Sequence, residues 1–426
     1  MIAAFRQLHP SVRIRLLTTF LSKVFGTTVV PFMGLMFARE AGALTAGALL
    51  AAQFGLQFVV GLYGGAASDT YGRRRMMVWG EAVKLLAFGL MLLAALGGAL
   101  LWPMFAALLV LSVGNGLTNP AGEALLIDAS TPADRAFMYS VNYWGNNLGY
   151  LVGAPLGALL FTDHLGVLMG LLTGMAAVIL WVTARFIRNV QTADDQMAGP
   201  PAAPRPAGFR ALLASYRQVA THRTFLWFTA GGTLILSIEY SRTTFLAVRL
   251  DRDLSGQTLT LPLSGLPLTF DGARALALLS AENTLLIVLS TAAVARFLTG
   301  RDPRRWMLVG FALFGAGYLA AMGLDTPLAL LGAGLVLTLG ELLYVPTRQA
   351  VQADMIDPAR RGAYMAVGSL VFQFGKLLAA GGLMLWPLLG QGGLMAAMAL
   401  FTVAGSLISW GASALGTRAA QPAAAD

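Results

Sequence analysis

Cysteine is absent from this chain, so disulfides and thiolate-held metals are both excluded, and cysteine usage says nothing about redox compartment. The only histidines, His9, His164 and His222, are scattered, which argues against a zinc centre. Charge is also scarce: Asp, Glu, Lys and Arg make up 12% of residues, against roughly 25% in soluble domains. That deficit runs along the whole length, so one hydrophobic anchor on a soluble protein is excluded too. No nucleotide-binding loop is present, and no polar segment is large enough to hold a catalytic domain. An enzyme is therefore not expected.

What fills the space is apolar, with 57% of residues hydrophobic. A helix crosses a bilayer with about 20 such residues. Twelve stretches qualify, at 13–38, 43–67, 76–98, 101–127, 137–161, 165–187, 224–248, 273–297, 306–323, 327–350, 363–388 and 392–415. They lack period-2 alternation and are too long for single strands, which excludes a β-barrel. The expectation is an all-α polytopic membrane protein with twelve transmembrane helices and the lipid bilayer as its first partner. The polar start (Arg6, Arg13, Arg15) runs straight into the first stretch without a small-residue cleavage site, so no signal peptide is expected.

The net charge of +9 does not point to nucleic acid, because the arginines sort by loop. Arg73–Arg75, the cluster from Arg185 to Arg223, Arg296–Arg305 and Arg360–Arg361 all follow even-numbered stretches. Positive loops stay inside, so both termini are expected in the cytoplasm. Arg39 is balanced by Glu40, and Arg249, Arg252 and Arg274 by Asp251, Asp253 and Asp271. Arginine far outnumbers lysine, pointing to a GC-rich bacterium and hence to the bacterial cytoplasmic (inner) membrane.

Residues 189–207 are polar and Pro/Ala-rich and read as a linker. Gly208–Arg223 spaces Phe209, Leu212, Leu213, Tyr216 and Val219 as one face of a surface helix. Three regions follow: an N-terminal six-helix bundle over 1–188, a cytoplasmic linker over 189–223, and a C-terminal six-helix bundle over 224–426. The halves repeat. Gly114, Pro120, Asp128, Pro132 and Arg135 recur at one constant spacing as Gly340, Pro346, Asp354, Pro358 and Arg361. GRRRMMVWG at 72–80 is echoed by PRRWMLVG at 303–310.

Glu81, Glu123, Glu239, Glu282 and Glu341, with Lys23, Lys84 and Lys376, fall inside the apolar stretches. A charge at the bilayer centre costs roughly 3 kcal/mol or more, so such groups face a cavity or a partner and mark substrate or ion pathways. Glu341 lies roughly 20 Å into its stretch at 1.5 Å per residue, with Tyr344 and Arg348 on the same face. A carboxyl in such surroundings can exchange a proton for a cation; a structural ion pair is the alternative. Glu239 and Arg242, one turn apart, read equally as a site or as a mutual pair. Glu282 has no charge within a turn, which leaves protonation, a cross-helix partner or a water-filled cavity. Glu81 and Lys84 are expected to pair with each other, and Glu123 lies about a turn from Asp128. Lys23 and Lys376 either satisfy some of the glutamates or contact an anionic group on a substrate. Tyr143, Trp144, Tyr240 and Phe245, with Met33 and Met36, supply adaptable apolar surface, although such residues are equally expected as lipid-facing filler.

The loop GGAASDTYGRRR sets Gly65-x-x-x-Asp69-x-x-Gly72-Arg73-Arg74 between the second and third stretches. Gly65 is expected to let helices approach closely, Gly72 to permit the tight turn, and Asp69 to pair with arginine or a helix N-terminus. This pattern resembles the signature loop of the major facilitator superfamily. With AGEALLIDAS (121–130), NYWGNNLG (142–149) and GELLYVP (340–346), the chain looks like its proton-driven multidrug exporter branch. The resemblance implies two pseudo-symmetric six-helix bundles with a binding site at mid-membrane. It also implies export of amphipathic, often cationic small molecules in exchange for protons, with no cofactor beyond the coupling proton and a monomeric assembly. Asp69 and Asp128 would belong to a protonation-sensitive cytoplasmic switch with Gly65, Gly72 and Arg73, and Glu341 to a central cavity. Three departures stand against it. LVLSVGNGLTNP replaces the arginine motif of span 4, Asn142 stands where some relatives have aspartate, and the glycines of span 5 are one residue out of register. A transporter of one physiological solute (a metabolite, lipid or peptide) is the alternative. Peptide importers usually carry ExxER in span 1, where this chain reads LLTTFLSKVFGTTVVPF.

Overall fold

The computed structural model describes residues 2–98, 100–130, 132–161, 163–188, 217, 219–254, 256, 258–260, 267–269, 272–356 and 361–420. The expected linker at 189–207 and all but the end of the surface helix lie outside them, as do the side chains of Pro132, Arg135, Pro358 and Arg361. The elements are α1 (Ile2–Gln7), α2 (Pro10–Tyr71), α3 (Arg73–Leu96), α4 (Leu101–Asp128), α5 (Pro132–Leu160) and α6 (Leu165–Phe186). They continue with α7 (Arg223–Ser241), a π-helical turn (Arg242–Leu246), α8 (Ala247–Leu254), β1 (Thr258–Thr260) and β2 (Pro267–Thr269). The last four are α9 (Gly272–Leu298), α10 (Pro303–Gly323), α11 (Pro327–Asp354) and α12 (Arg361–Ala420). β1 and β2 pair antiparallel, with Thr258 opposite Thr269.

Every expected apolar stretch lies on a helix. The first two share α2 and the last two share α12, where the chain breaks at Gly42 (φ 79°) and Gly390 (φ 65°). Only a residue without Cβ adopts those angles readily, so each glycine lets one helix end and the next begin without a loop. Among the described residues, eight helical segments are long and apolar enough to cross a membrane, α2 and the 370–415 part of α12 included. Proline follows a capping residue at several starts. His9 accepts from Ser11 N before Pro10, and Asp302 from Arg304 N before Pro303.

The chain divides into two compact units, Met1–Phe32 with Ala52–Leu213 and Met33–Ala51 with Ala214–Asp426. Residues 33–51, expected in the first bundle, thus group with the second unit. Two contacts explain it: Gly47 lies against Met384 and the Ala380 carbonyl of α12, and Arg39 pairs with Asp251 at 2.5 Å. Arg39 thus finds an acid far away in sequence, Asp251. Arg249 is fully buried, donates to Ala321 O and Leu324 O, and pairs with Asp253 and Asp325, tying α8 to the end of α10.

Inside each unit the repeat foreseen from sequence takes physical form. α3 meets α4 at Gly80 and Gly114, where a Cβ on Gly114 would stand 2.9 Å from Gly80 O. α10 meets α11 at Gly310 and Gly340, where a Cβ on Gly340 would stand 2.7 Å from Gly310 O. Backbone touches backbone at both crossings, so neither tolerates a side chain. Arg15 of α2 seats its guanidinium on Gly122 of α4, and Arg348 of α11 seats its own on Gly232 of α7. In the span 5 helix, Gly149, Gly153 and Gly157 receive Lys23, Thr27 and Phe32 of α2, so this glycine pattern serves helix packing.

Candidate functional site

In the second unit three helices bring acidic and amide groups together. Asn283 on α9 donates from Nδ2 to Glu341 Oε2 of α11 at 2.8 Å and to Thr338 Oγ1 at 3.0 Å. Thr338 in turn donates to Gly334 O at 2.8 Å. On α7, Glu239 Oε1 pairs with Arg242 at 3.1 Å, and both charges act on Glu341 through space. Arg242 opens the π-helical turn. The extra residue in such a turn shifts the side-chain register, a device common at functional sites. Glu282, one residue before Asn283, packs its carboxylate against Gly334, and its Oε2 is buried without a hydrogen-bond partner among the described residues.

Tyr344 and Arg348 share the Glu341 face by spacing, yet the three meet different helices. Tyr344 is buried between the rings of Phe311 and Phe314 on α10. Arg348 lies over Phe228 of α7, 5.6 Å from its ring centre. The arrangement puts a carboxyl with one firm donor beside a second, paired carboxyl. Such a group can take a proton or a cation in turn.

The first unit holds a separate polar cluster at the junction of α2 and α3. Arg73 bridges Asp69 and Asp128, the latter at 3.1 Å, and also donates to Ser68 Oγ at 2.6 Å. The turn rests on Gly72 at φ 91°, a conformation that favours glycine. Gly65 does not make the close approach expected of it. A Cβ there would meet Pro120 at an ordinary 3.8 Å, whereas one on Gly64 would overlap Gly116 O. The reason is helical rotation: neighbouring residues point about 100° apart, and Gly64 is the one facing α4.

Deeper in the same unit, Lys84 pairs with Glu81 at 2.7 Å and reaches Ser22 Oγ at 3.4 Å. Arg15 feels Glu81 and Glu123. Among the described residues, Glu123 makes no bond to the Asp69–Arg73–Asp128 cluster. Lys23 lies with Nζ 4.1 Å above the Tyr150 ring, and Lys376 lies 5.6 Å from the Tyr240 ring in the second unit. Among the described residues, no ion pair joins Lys23 to one of the glutamates. Tyr143 and Trp144 are exposed at 51% and 55%.

Sequence spacing missed Asn283, whose only signal is an amide inside an apolar helix next to Glu282. It also missed the seats of Arg15 and Arg348, because a glycine partner on another helix leaves no local trace.

The sequence model of the family described as the Major Facilitator Superfamily matches residues 15–295. The chain is 26% identical over 378 residues to a Na(+), Li(+), K(+)/H(+) antiporter of Planococcus maritimus, covering 87% of this chain and 88% of the relative. It is 25% identical over 358 residues to the multidrug resistance protein MdtH of Proteus mirabilis (strain HI4320), covering 82% and 79%. Among solved structures it resembles a POT family transporter in complex with 5-aminolevulinic acid, with a TM-score of 0.72 at 15% identity over 97% of each chain. At that identity the likeness is one of fold.

Proposed function

The chain belongs to the Major Facilitator Superfamily, a family of membrane transporters and not of enzymes, and we propose that it is a proton-coupled exporter of amphipathic, often cationic compounds. Its twelve spans are arranged as two six-helix bundles joined by the 189–223 linker, with both termini on the cytoplasmic side of a bacterial inner membrane. A single copy works by alternating access. Protons and substrate bias the same equilibrium in opposite directions, each by its differential affinity for the two states.

One observation carries this reading: Glu341, in the middle of an apolar helix, is held by Asn283 and lies within electrostatic reach of the Glu239–Arg242 pair. A lone carboxylate at that depth is expensive. Protonation or a cationic ligand removes the cost, and so the two compete for one group. Arg73 between Asp69 and Asp128 acts as the cytoplasmic latch, and Glu282, Tyr143 and Trp144 contribute to substrate handling. A second reading is exchange of protons for one solute such as a monovalent metal cation, which the likeness to the Planococcus antiporter favours.

Proteoliposomes with an imposed pH gradient test both. Gradient-driven transport of ethidium that an uncoupler abolishes supports the exporter. Sodium or potassium exchange without dye transport supports the second reading. Dye and cation movement indifferent to the uncoupler would remove proton coupling altogether.

A further inference from the structure

An ammonium over a tyrosine ring occurs in both units, with the two residue types exchanged between helices. In the first unit Lys23 of α2 holds Nζ over Tyr150 of α5, and its stem lies on Gly149, where an added Cβ would stand 2.8 Å from Lys23 Cγ. In the second, Lys376 of α12 stands over Tyr240 of α7, whose ring lies 3.2 Å from an added Cβ on Gly375. The register that lays Gly114 on Gly340 also lays Gly149 on Gly375 and Tyr150 on Lys376. Laying Thr27 on Thr244 puts Lys23 on Tyr240. Those threonines match on their own account: Thr27 abuts Gly153, and Thr244 donates to the carbonyl of Ala379, the counterpart of Gly153, at 3.5 Å. The glycine seat and the contact of cation with ring are kept, while the lysine has changed helix.

Energetics say what Lys23 still needs. Holding a charge at mid-membrane is costly, and a cation–π contact returns only part of that cost. The ring alone does not offset the charge. Among the described residues, four acids of its unit are engaged elsewhere: Glu81 with Lys84, Asp69 and Asp128 with Arg73, and Glu123 beside Arg15. Lys23 is only half-buried and Tyr150 is 36% exposed, so the pair is open to an arriving molecule. Lys23 lies roughly 20 Å along α2 from Pro10 at 1.5 Å per residue, too deep for a lipid headgroup.

We infer that Lys23 and Tyr150 form a binding site for the carboxylate of an amphipathic small molecule, with the acid on the ammonium and the apolar body against the ring. The inference rests on the transporter reading, and extends its substrates to organic anions and zwitterions.

The test is equilibrium binding to the full-length protein in nanodiscs without any gradient, using 1-naphthoate and its neutral isostere 1-naphthamide. In the unsubstituted protein, naphthoate is expected to bind at least about tenfold more tightly than the amide. Lys23→Gln brings that ratio close to one, Lys23→Arg keeps it, and Tyr150→Ala weakens both probes. Equal affinities in the unsubstituted protein would overturn the proposal even if Lys23→Gln fails to fold. So would a ratio that survives in folded Lys23→Gln, or one abolished only by Lys376→Gln. Because no gradient is used, a failure here beside intact ethidium efflux strikes this site alone. Loss of efflux beside intact discrimination strikes only the exporter reading.

Discussion

Asn283 gives one amide group to two acceptors, Glu341 Oε2 at 2.8 Å and Thr338 Oγ1 at 3.0 Å, and so ties α9 to α11 at the acid itself. A hydrogen bond to a charged group contributes roughly 1.5–3 kcal/mol. Asn283→Ala is therefore expected to slow gradient-driven efflux by about tenfold or more while the protein remains folded. Initial rates in proteoliposomes check this; a rate within about twofold of the unsubstituted protein would show that the bond does not matter to transport.

Gly64 and Gly65 give opposite expectations from sequence and structure. The loop motif directs attention to Gly65, but it is the Cβ of Gly64→Ala that would overlap Gly116 O, while Gly65→Ala has room. Overpacking a close contact costs typically about 1–3 kcal/mol. Thermal unfolding in detergent should show Gly64→Ala melting several degrees lower and Gly65→Ala nearly unchanged. The reverse order would contradict the packing described.

Glu81 and Lys84 are a buried pair, their side chains 2% and 6% exposed. Removing one partner strands the other, at about 3–5 kcal/mol, whereas replacing both with apolar groups is close to neutral. Lys84→Met should fail to accumulate or melt far lower, and Glu81→Leu with Lys84→Met should restore folding. If the pair is structural, the double variant also transports. A folded but inactive double variant would move Glu81 into the transport mechanism.

Much of the fold was legible because membrane spans announce themselves by length and hydropathy, which need no tertiary information. The repeat was equally legible: Gly114 and Gly340 stand at matching crossings because each lets two backbones touch. What sequence could not supply was the choice of partner across helices. For Lys23 the spacing leaves glutamates and a substrate anion equally open, and the contact it makes is with the Tyr150 ring on a neighbouring helix. Glu341, Tyr344 and Arg348 share one face by spacing, but that face is wide enough for three different neighbours. The membership of residues 33–51 in the second unit depends on Gly47 and Arg39, whose contacts lie far away in sequence.

Coupling at Glu341 is tested most directly by comparing two modes of transport in Glu341→Gln. Substrate exchange at equal pH needs binding and reorientation but no proton release; gradient-driven accumulation needs both. The expected result is that exchange persists while accumulation falls to the level seen with uncoupler. A Glu341→Gln protein that still accumulates substrate against its gradient as the unsubstituted protein does would contradict the assignment of the coupling proton to this carboxyl.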